Sequence, residues 1–174
     1  MNLLLGISGG IAAYKTPELV RALRRRGHTV RCVCTESALR LVAADALVAV
    51  SGEPVSCAMF PGDGRMPHID LARWSQAMVM APATADILAR LSLGLADDLL
   101  TTLVLALEPE KPLWLAPAMN TVMWNKPVVQ GHVRTLAERG ALIIPPVSGH
   151  LACGESGVGA MEDPERIANL IVPG

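Results

Sequence analysis

The feature that most constrains this chain is the alternation of short, continuous apolar runs with longer stretches of helical pattern. The apolar runs lack the in–out alternation of half-exposed strands, which is typical of strands covered on both faces in a parallel sheet. The predicted strands are residues 3–7, 29–34, 77–81, 113–116 and 141–144. The predicted helices are residues 11–26, 36–50, 84–93, 97–107, 127–139 and a last one from Pro164, capped by Asp163. The pattern predicts an α/β protein with a three-layer, doubly wound parallel sheet of Rossmann-like type.

The length of 174 residues predicts one domain that spans residues 1–174. Two long turn-rich stretches, 51–67 and 145–161, interrupt the strand–helix rhythm, and loops of this length are usually functional or mobile. Pro17 lies inside the first helical pattern and leaves two alternatives open. Either a new helix starts after a Thr16 cap, or a single helix begins near Gly10 and is kinked.

The composition argues against several classes of partner. Lys and Arg number 15 and Asp and Glu number 16, so the chain has no basic field for a nucleic-acid backbone. One Tyr, one Phe and three Trp residues are too few for base stacking. No apolar stretch reaches the ~18–20 residues of a membrane-spanning helix, and the N-terminus lacks a signal-peptide pattern. The four cysteines form no CxxC pair, so we expect reduced thiols in a cytoplasmic protein.

A glycine-rich turn, Ser8-Gly9-Gly10, follows the first predicted strand. Glycines let a backbone approach a phosphate, whose charge suits the N–H groups that open the next helix. The turn matches neither GxGxxG nor a Walker loop, so alone it fits a tight turn equally well. The second predicted strand ends at Thr35-Glu36-Ser37, at the same carboxyl edge of the sheet. The two loops together favour a nucleotide site, and the flanking hydroxyls suit a monophosphate better than a dinucleotide.

Other strand ends and loops carry further candidate residues. Residues 81–86 (APATAD) and 116–120 (APAMN) follow two predicted strands and consist largely of small residues and prolines, which suit the binding of a flat ring. In the second segment, Asn120 can donate to a carboxylate. Each also fits a plain turn. His68 is a candidate base, although an exposed helix cap fits it as well. Cys153 begins a glycine-rich loop that could form a lid, or it is an ordinary loop residue. The histidine spacing predicts no metal site.

Five segments in one order resemble the homo-oligomeric flavin-containing cysteine decarboxylases. They are residues 6–15 (GISGGIAAYK), Pro67-His68, 81–86 (APATAD), 116–124 (APAMNTVMW) and 153–161 (CGESGVGAM). The specific motif is PxMNxxMW, which begins here at Pro117, whereas the glycine turn alone is weak. The resemblance extends over essentially the whole chain.

The resemblance implies an FMN-dependent carboxy-lyase that acts on a small-molecule thiol substrate. The nearest branch converts 4′-phosphopantothenoylcysteine to 4′-phosphopantetheine in coenzyme A biosynthesis. In that branch the flavin oxidises the substrate to a thioaldehyde, carbon dioxide leaves, and the flavin returns the electrons. The implied assembly is a homotrimer or a multiple of trimers. His68 is the implied base, Asn120 holds the substrate carboxylate, and Cys153 acts late on a flap. The implied FMN-binding residues are Ser8, Gly9, Gly10, Thr35, Ser37, Ala83, Thr84, Ala116 and Met119.

Three alternatives and one departure accompany this interpretation. A peptidyl-cysteine decarboxylase is the main alternative, but that branch typically lacks a flap cysteine such as Cys153. Flavin prenyltransferases lack the PxMNxxMW pattern, and the phosphatase-binding relatives carry acidic tails. Ala160 stands where the flap usually has an arginine, which removes one expected contact to the substrate. Because the chain ends at Gly174, we expect a free-standing enzyme or a domain excised from a bifunctional protein.

Overall fold

The computed structural model describes residues 1–62, 64, 66–150, 154 and 156–171, except for the side chain of His150. Its main sheet has five parallel strands in the order β2-β1-β3-β4-β5, which confirms the predicted fold class. In this order the winding reverses between β1 and β3, and ligands of such sheets bind at the carboxyl ends near that point. The strands are β1 (Asn2–Ile7), β2 (Thr29–Cys34), β3 (Ala77–Ala83), β4 (Leu113–Pro117) and β5 (Leu142–Ile143).

Helices cover both faces of the sheet, and a separate antiparallel hairpin follows β5. A short 3-10 helix (Ile11–Lys15) precedes the first α-helix. The α-helices are α1 (Thr16–Arg25), α2 (Glu36–Leu39), α3 (Ala44–Ser51), α4 (Pro67–Trp74), α5 (Ala85–Leu93), α6 (Leu99–Ala106), α7 (Thr121–Trp124), α8 (Pro127–Glu138) and α9 (Pro164–Leu170). The hairpin consists of β6 (Val147–His150) and β7 (Ser156–Ala160).

The central strand β1 shows why the sheet is covered on both faces. Leu3, Leu5 and Ile7 pack into one core with side chains of α1, α3 and α9. Leu4 packs into a second core with α4, α5, α6 and α8. All four side chains are fully buried, because side chains of a strand alternate between the two faces. The continuous apolar run in the sequence therefore corresponds to two cores.

The structure resolves the alternatives around Pro17 in favour of a new helix start. The 3-10 helix ends at Lys15, and α1 begins at Thr16 with Pro17 in its first turn, where no intrahelical N–H bond is required. The cap differs from the predicted one, because Lys15 occupies that position and the Thr16 hydroxyl donates to the Ala13 carbonyl at 2.7 Å.

Two other sequence-based expectations need correction. The helix predicted over 36–50 is divided into α2 and α3, because the backbone of Ala43 is extended at the N-cap of α3. The stretch 145–161, predicted as a turn-rich loop, contains the β6–β7 hairpin. In the described part of the chain, no helix is long and apolar enough to cross a membrane. Burial of Cys32 in the first core raises the pKa of its thiol to about 12, so this thiol stays protonated at neutral pH.

Candidate cofactor and substrate site

A cavity of about 690 Å³ lies at the carboxyl edge of the sheet, beside the ends of β1, β3 and β4. This volume is in the range of about 300–1,000 Å³ that is usual for small-molecule sites. The described residues that line it include seven of the predicted site residues, namely Ser8, Gly9, Gly10, Ser37, Thr84, Met119 and Asn120. Four segments that are far apart in the sequence, one after each of the strands β1 to β4, therefore meet in one concave site.

Four other predicted residues do not line this cavity. Ala83 and Ala116 are fully buried near the ends of β3 and β4, one and two residues before the cavity-lining segments. Thr35 is connected to the cavity through Ser37, to which its hydroxyl is hydrogen-bonded. His68 also lies outside the lining. Cys153 is outside the described residues, so its place relative to the cavity stays a prediction.

The turn after β1 approaches the start of α2 more closely than any side chain would permit. A Cβ atom at Gly9 would lie 2.2 Å from the Ser37 hydroxyl oxygen and 2.5 Å from the Ser37 Cβ. A Cβ at Gly10 would lie 2.9 Å from the Thr84 methyl carbon. Both glycines are required for this close approach, which brings the backbone of one loop against the side chains of two others.

Backbone N–H groups at this turn point to an anion site. The Gly9 N–H has no acceptor in the part of the chain that the structure describes. Ile11 and Ala12 open the 3-10 helix, where the first N–H groups lack intrahelical acceptors, and both line the cavity. The Gly10 N–H, in contrast, donates to the Ser8 carbonyl at 2.8 Å. The turn therefore offers unpaired donors to a ligand, as phosphate-binding turns do.

Ser8 has a different part in the site from the phosphate donor suggested by its sequence context. Its side chain is buried, and its hydroxyl donates to the Pro82 carbonyl at 2.7 Å. The same oxygen accepts the Thr84 N–H at 3.1 Å. Since a serine hydroxyl has a single proton, these bonds connect the end of β1 to the end of β3 and leave no proton for a ligand.

The hydroxyls of Thr35 and Ser37 form a pair at the start of α2. Their oxygen atoms are 3.0 Å apart, and either can be the donor. Thr35 also caps α2 by accepting the Ala38 N–H at 3.2 Å. Two hydroxyls carry two protons and the bond between them uses one, so the pair keeps one proton for a further acceptor. Because Ser37 lines the cavity, that acceptor can be an anion bound there.

Asn120 follows β4 and caps the short helix α7. Its side-chain oxygen accepts the Val122 N–H at 2.7 Å, which fixes the orientation of the amide group. Asn120 also lines the cavity, and an amide nitrogen is a donor of the kind that a carboxylate requires. The adjacent Met119 N–H donates to the Gly159 carbonyl at 2.9 Å, so β7 of the hairpin lies directly against the segment that joins β4 to α7.

Lys15 and Asp86 are the charged side chains among the described residues of the lining, and sequence reasoning missed both. Asp86 forms an ion pair with Arg90 at 2.9 Å, and Arg90 also contacts Asp97. The hydrogen bond from Arg90 lowers the pKa of Asp97. Lys15 forms no such pair within the described ranges, so its positive charge remains available to an anionic ligand. The only sequence signal for Lys15 is its place soon after the glycine turn.

His68 lies in the first turn of α4, at the same edge of the sheet as the cavity. The carboxyl ends of α4 and α6 lead into the starts of β3 and β4 at the opposite edge, where Lys111 of the α6–β4 loop donates to the Ala72 carbonyl at 2.7 Å. The amino ends of both helices therefore lie toward the cavity edge. The His68 Nδ1 atom is buried and has no partner in the described part of the chain. One copy of the chain thus places the predicted base near the site edge but outside the cavity lining.

Comparisons with known proteins agree on one family. The family model described as Flavoprotein matches residues 1–173. The Coenzyme A biosynthesis bifunctional protein CoaBC of Escherichia coli (strain K12) is 46% identical over 173 residues, which are 98% of this chain and 42% of that protein. The chain thus spans less than half the length of this curated relative.

Two solved structures are similar over nearly the whole chain. A PPC decarboxylase mutant complexed with pantothenoylaminoethenethiol is 35% identical with a TM-score of 0.89, covering 97% of this chain and 94% of that one. The FMN binding protein AtHal3 is 36% identical with a TM-score of 0.85, covering 97% and 93% of the two chains.

Proposed function

The chain belongs to the flavoprotein family, and from that premise we propose that it is an FMN-dependent decarboxylase that converts 4′-phosphopantothenoylcysteine to 4′-phosphopantetheine in coenzyme A biosynthesis. The observation that carries the proposal is the convergence of an anion cradle and a carboxylate donor on one cavity. The cradle consists of Gly9, Gly10 and the Thr35–Ser37 hydroxyl pair, and the donor is Asn120. A relative with the same fold binds FMN, and another is a PPC decarboxylase.

The residues of the cavity fit FMN by their chemistry. The N–H groups at Gly9 and at the start of the 3-10 helix have no acceptor among the described residues. Together with a hydroxyl proton from the Thr35–Ser37 pair, they suit one terminal phosphate. The close approach of Gly9 to Ser37 brings both sets of donors within reach of the same anion. Thr84 and Met119 line the cavity beyond the cradle, where a flat, largely apolar ring would lie.

The chain's own residues hold and protonate the substrate. When bound, FMN would supply a two-electron acceptor and donor, which would turn the thiol-bearing carbon into a thioaldehyde able to accept the electron pair left by carbon dioxide. Asn120 donates its amide to the substrate carboxylate and holds it until carbon dioxide leaves. His68 removes the thiol proton at the start, and Cys153 supplies a proton near the end. Lys15 attracts the anionic substrate to the cavity.

A homotrimer, or a multiple of it, completes this arrangement. His68 does not line the cavity of its own chain, so a second copy is the source of the base at each site. At the cavity, Ile11 and Tyr14 expose 57% and 62% of their surface, which a neighbouring subunit would cover. The expected location is the cytoplasm, where free thiols such as those of Cys32 and Cys34 stay reduced.

The first experiment is to release and identify the chromophore of the purified protein. We expect a yellow protein that yields FMN on denaturation, whereas FAD, or no flavin after reconstitution, would contradict the proposal. Carbon dioxide release is then measured with 4′-phosphopantothenoylcysteine and with a peptide that ends in cysteine. Turnover of the peptide alone would favour a peptidyl-cysteine decarboxylase. Light scattering measures the assembly, and a monomer with bound flavin would exclude the trimer.

A further inference from the structure

The hairpin strand β7 lies flat on the segment that joins β4 to α7. The Met119 N–H donates to the Gly159 carbonyl at 2.9 Å. A Cβ at Gly159 would lie 2.2 Å from the Met119 carbonyl oxygen, and the φ angle of Gly159 is +155°. The backbone of β7 therefore packs directly on the backbone of the segment that joins β4 to α7, and only glycine permits such a close contact. We call this contact, between residues 157–159 and residues 119–121, the seam.

Thr121 lies under the same strand, β7, and the environment of its side-chain hydroxyl is unusual. A Cβ at Gly157 would lie 2.4 Å from the Thr121 hydroxyl oxygen, so this glycine covers the hydroxyl closely. The hydroxyl oxygen is buried and has no hydrogen-bond partner among the residues that the structure describes. Most buried polar side-chain atoms do have a partner, and a buried hydroxyl without one is destabilising.

The buried Thr121 hydroxyl affects the equilibrium between docked and lifted states of the hairpin more than it affects the stability of the whole fold. When β7 is docked on the segment that joins β4 to α7, the Thr121 hydroxyl is shielded from water and lacks a hydrogen-bond partner among the described residues. When β7 lifts, water reaches this hydroxyl and bonds to it. The cost is therefore present only in the docked state, and it shifts the equilibrium toward the lifted one. The seam adjoins Met119, Asn120 and Gly159, all of which line the cavity, so lifting opens the cavity to solvent.

We propose that Thr121 is a positioning residue that sets how often the β6–β7 hairpin lifts from the cavity. Its buried, unpaired hydroxyl weakens docking and thereby speeds exchange of the bound molecules. The inference about docking stands on the geometry of the seam alone. Its consequence for turnover rests on the proposed decarboxylase function.

The Met119 amide provides a direct readout of docking. Its hydrogen bond to the Gly159 carbonyl crosses the seam, so this amide exchanges with solvent when the hairpin lifts. Hydrogen exchange of the purified protein, followed by mass spectrometry with fragmentation to single residues, measures that opening. Thr121→Val removes the hydroxyl and keeps the shape of the side chain. We expect it to slow exchange of the Met119 amide by about tenfold.

Two variants serve as matched controls. Thr121→Ser keeps the hydroxyl, and the Met119 amide should then exchange at least as fast as in the wild type. Thr102→Val removes another buried threonine hydroxyl that has no partner in the described part of the chain, and this one lies on α6. It tests whether any such removal slows exchange by raising global stability. Unchanged Met119 exchange in Thr121→Val, or an equal slowing in Thr102→Val, would overturn the proposal.

A second pair of variants tests the seam in the opposite direction. Gly157→Ala places a methyl group against the Thr121 hydroxyl and should speed exchange of the Met119 amide. Gly131→Ala is its control, because a Cβ there meets no atom within 4 Å. If Gly157→Ala leaves the Met119 amide protected, β7 does not dock as described and the proposal is wrong.

Turnover provides a separate test of the consequence. If release through the lifted hairpin limits the rate, Thr121→Val lowers kcat and KM together, whereas a general structural defect would lower kcat without lowering KM. A protein that shows no decarboxylation at all would refute the proposed function and leave the exchange result for Thr121 intact. The two failures are thus distinguishable.

Discussion

Replacement of Gly9 by alanine tests the anion cradle at its tightest contact. The new methyl group would lie 2.2 Å from the Ser37 hydroxyl oxygen, 2.5 Å from its Cβ and 3.2 Å from its carbonyl carbon. A change of rotamer at Ser37 can move the hydroxyl but not the Cβ, which is fixed to the backbone. To reach an ordinary carbon–carbon contact, the two loops must separate by about 1 Å.

The expected cost of Gly9→Ala follows from that displacement. Overpacking of this kind destabilises a folded protein by about 1–3 kcal/mol. For a chain of this length, a loss of about 2 kcal/mol lowers Tm by about 4–8 °C. The separation also moves the Thr35–Ser37 pair away from the Gly9 N–H. Loss of one hydrogen bond to a charged phosphate costs about 1.5–3 kcal/mol, so FMN binding should weaken by at least about tenfold.

Two measurements and two controls separate steric from chemical effects. FMN affinity is measured by flavin fluorescence titration of the apoprotein, and stability is measured by thermal unfolding without FMN. Gly131→Ala should change neither property for the worse, since its methyl group meets no neighbouring atom within 4 Å. The double variant Gly9→Ala/Ser37→Gly removes the colliding atoms. Its Tm should recover relative to Gly9→Ala, while its FMN affinity stays low because the Ser37 hydroxyl is absent.

A Gly9→Ala variant that binds FMN as tightly as the wild type and unfolds at the same temperature would contradict the predicted collision. The turn after β1 and the start of α2 would then not be in the close contact that the structure shows. A lowered Tm that Ser37→Gly fails to restore would also contradict it, because the collision involves mainly the Ser37 side chain.

Three further predictions concern individual side chains. His68→Asn should abolish carbon dioxide release while FMN stays bound, and a normal rate would exclude His68 as the base. Cys153→Ser should accumulate an unsaturated product two hydrogens lighter by mass spectrometry, since a hydroxyl is a weaker acid than a thiol, whereas normal saturated product would exclude this role. Burial, the N-terminal amino group and Arg26 lower the pKa of His28 against its hydrogen bond to the Ile171 backbone. The unfolded chain, with a pKa near 6.5, then binds more protons than the folded one below about pH 6.5. Stability should therefore fall on acidification through this window, and urea unfolding of His28→Gln should show a smaller fall than the wild type.

Local patterns in the sequence determined the kinds of elements and the positions of the ligand-facing loops. The continuous apolar runs required strands buried on both faces, because no alternating polar side was available to face water. Strong capping signals located helix starts, and Asp163 caps α9 through bonds to the backbone of Glu165 and Arg166. Ser8-Gly9-Gly10 and the PxMNxxMW segment were placed at one edge of the sheet for the same reason. Parallel strands end on the same side, and the loops after them must meet there.

The tertiary structure alone decided which atoms are paired and which remain available to a ligand. Pro82 is 74 residues from Ser8, yet its carbonyl takes the Ser8 proton, so a residue that resembles a phosphate donor connects two strands. Gly157 packs over the Thr121 hydroxyl, which has no partner among the residues that the structure describes, and the 3-10 helix places Lys15 in the cavity lining. Periodicity and residue type encode local conformation and burial. A hydrogen bond, however, depends on the distance between two groups, which packing of distant segments fixes to within a few tenths of an ångström.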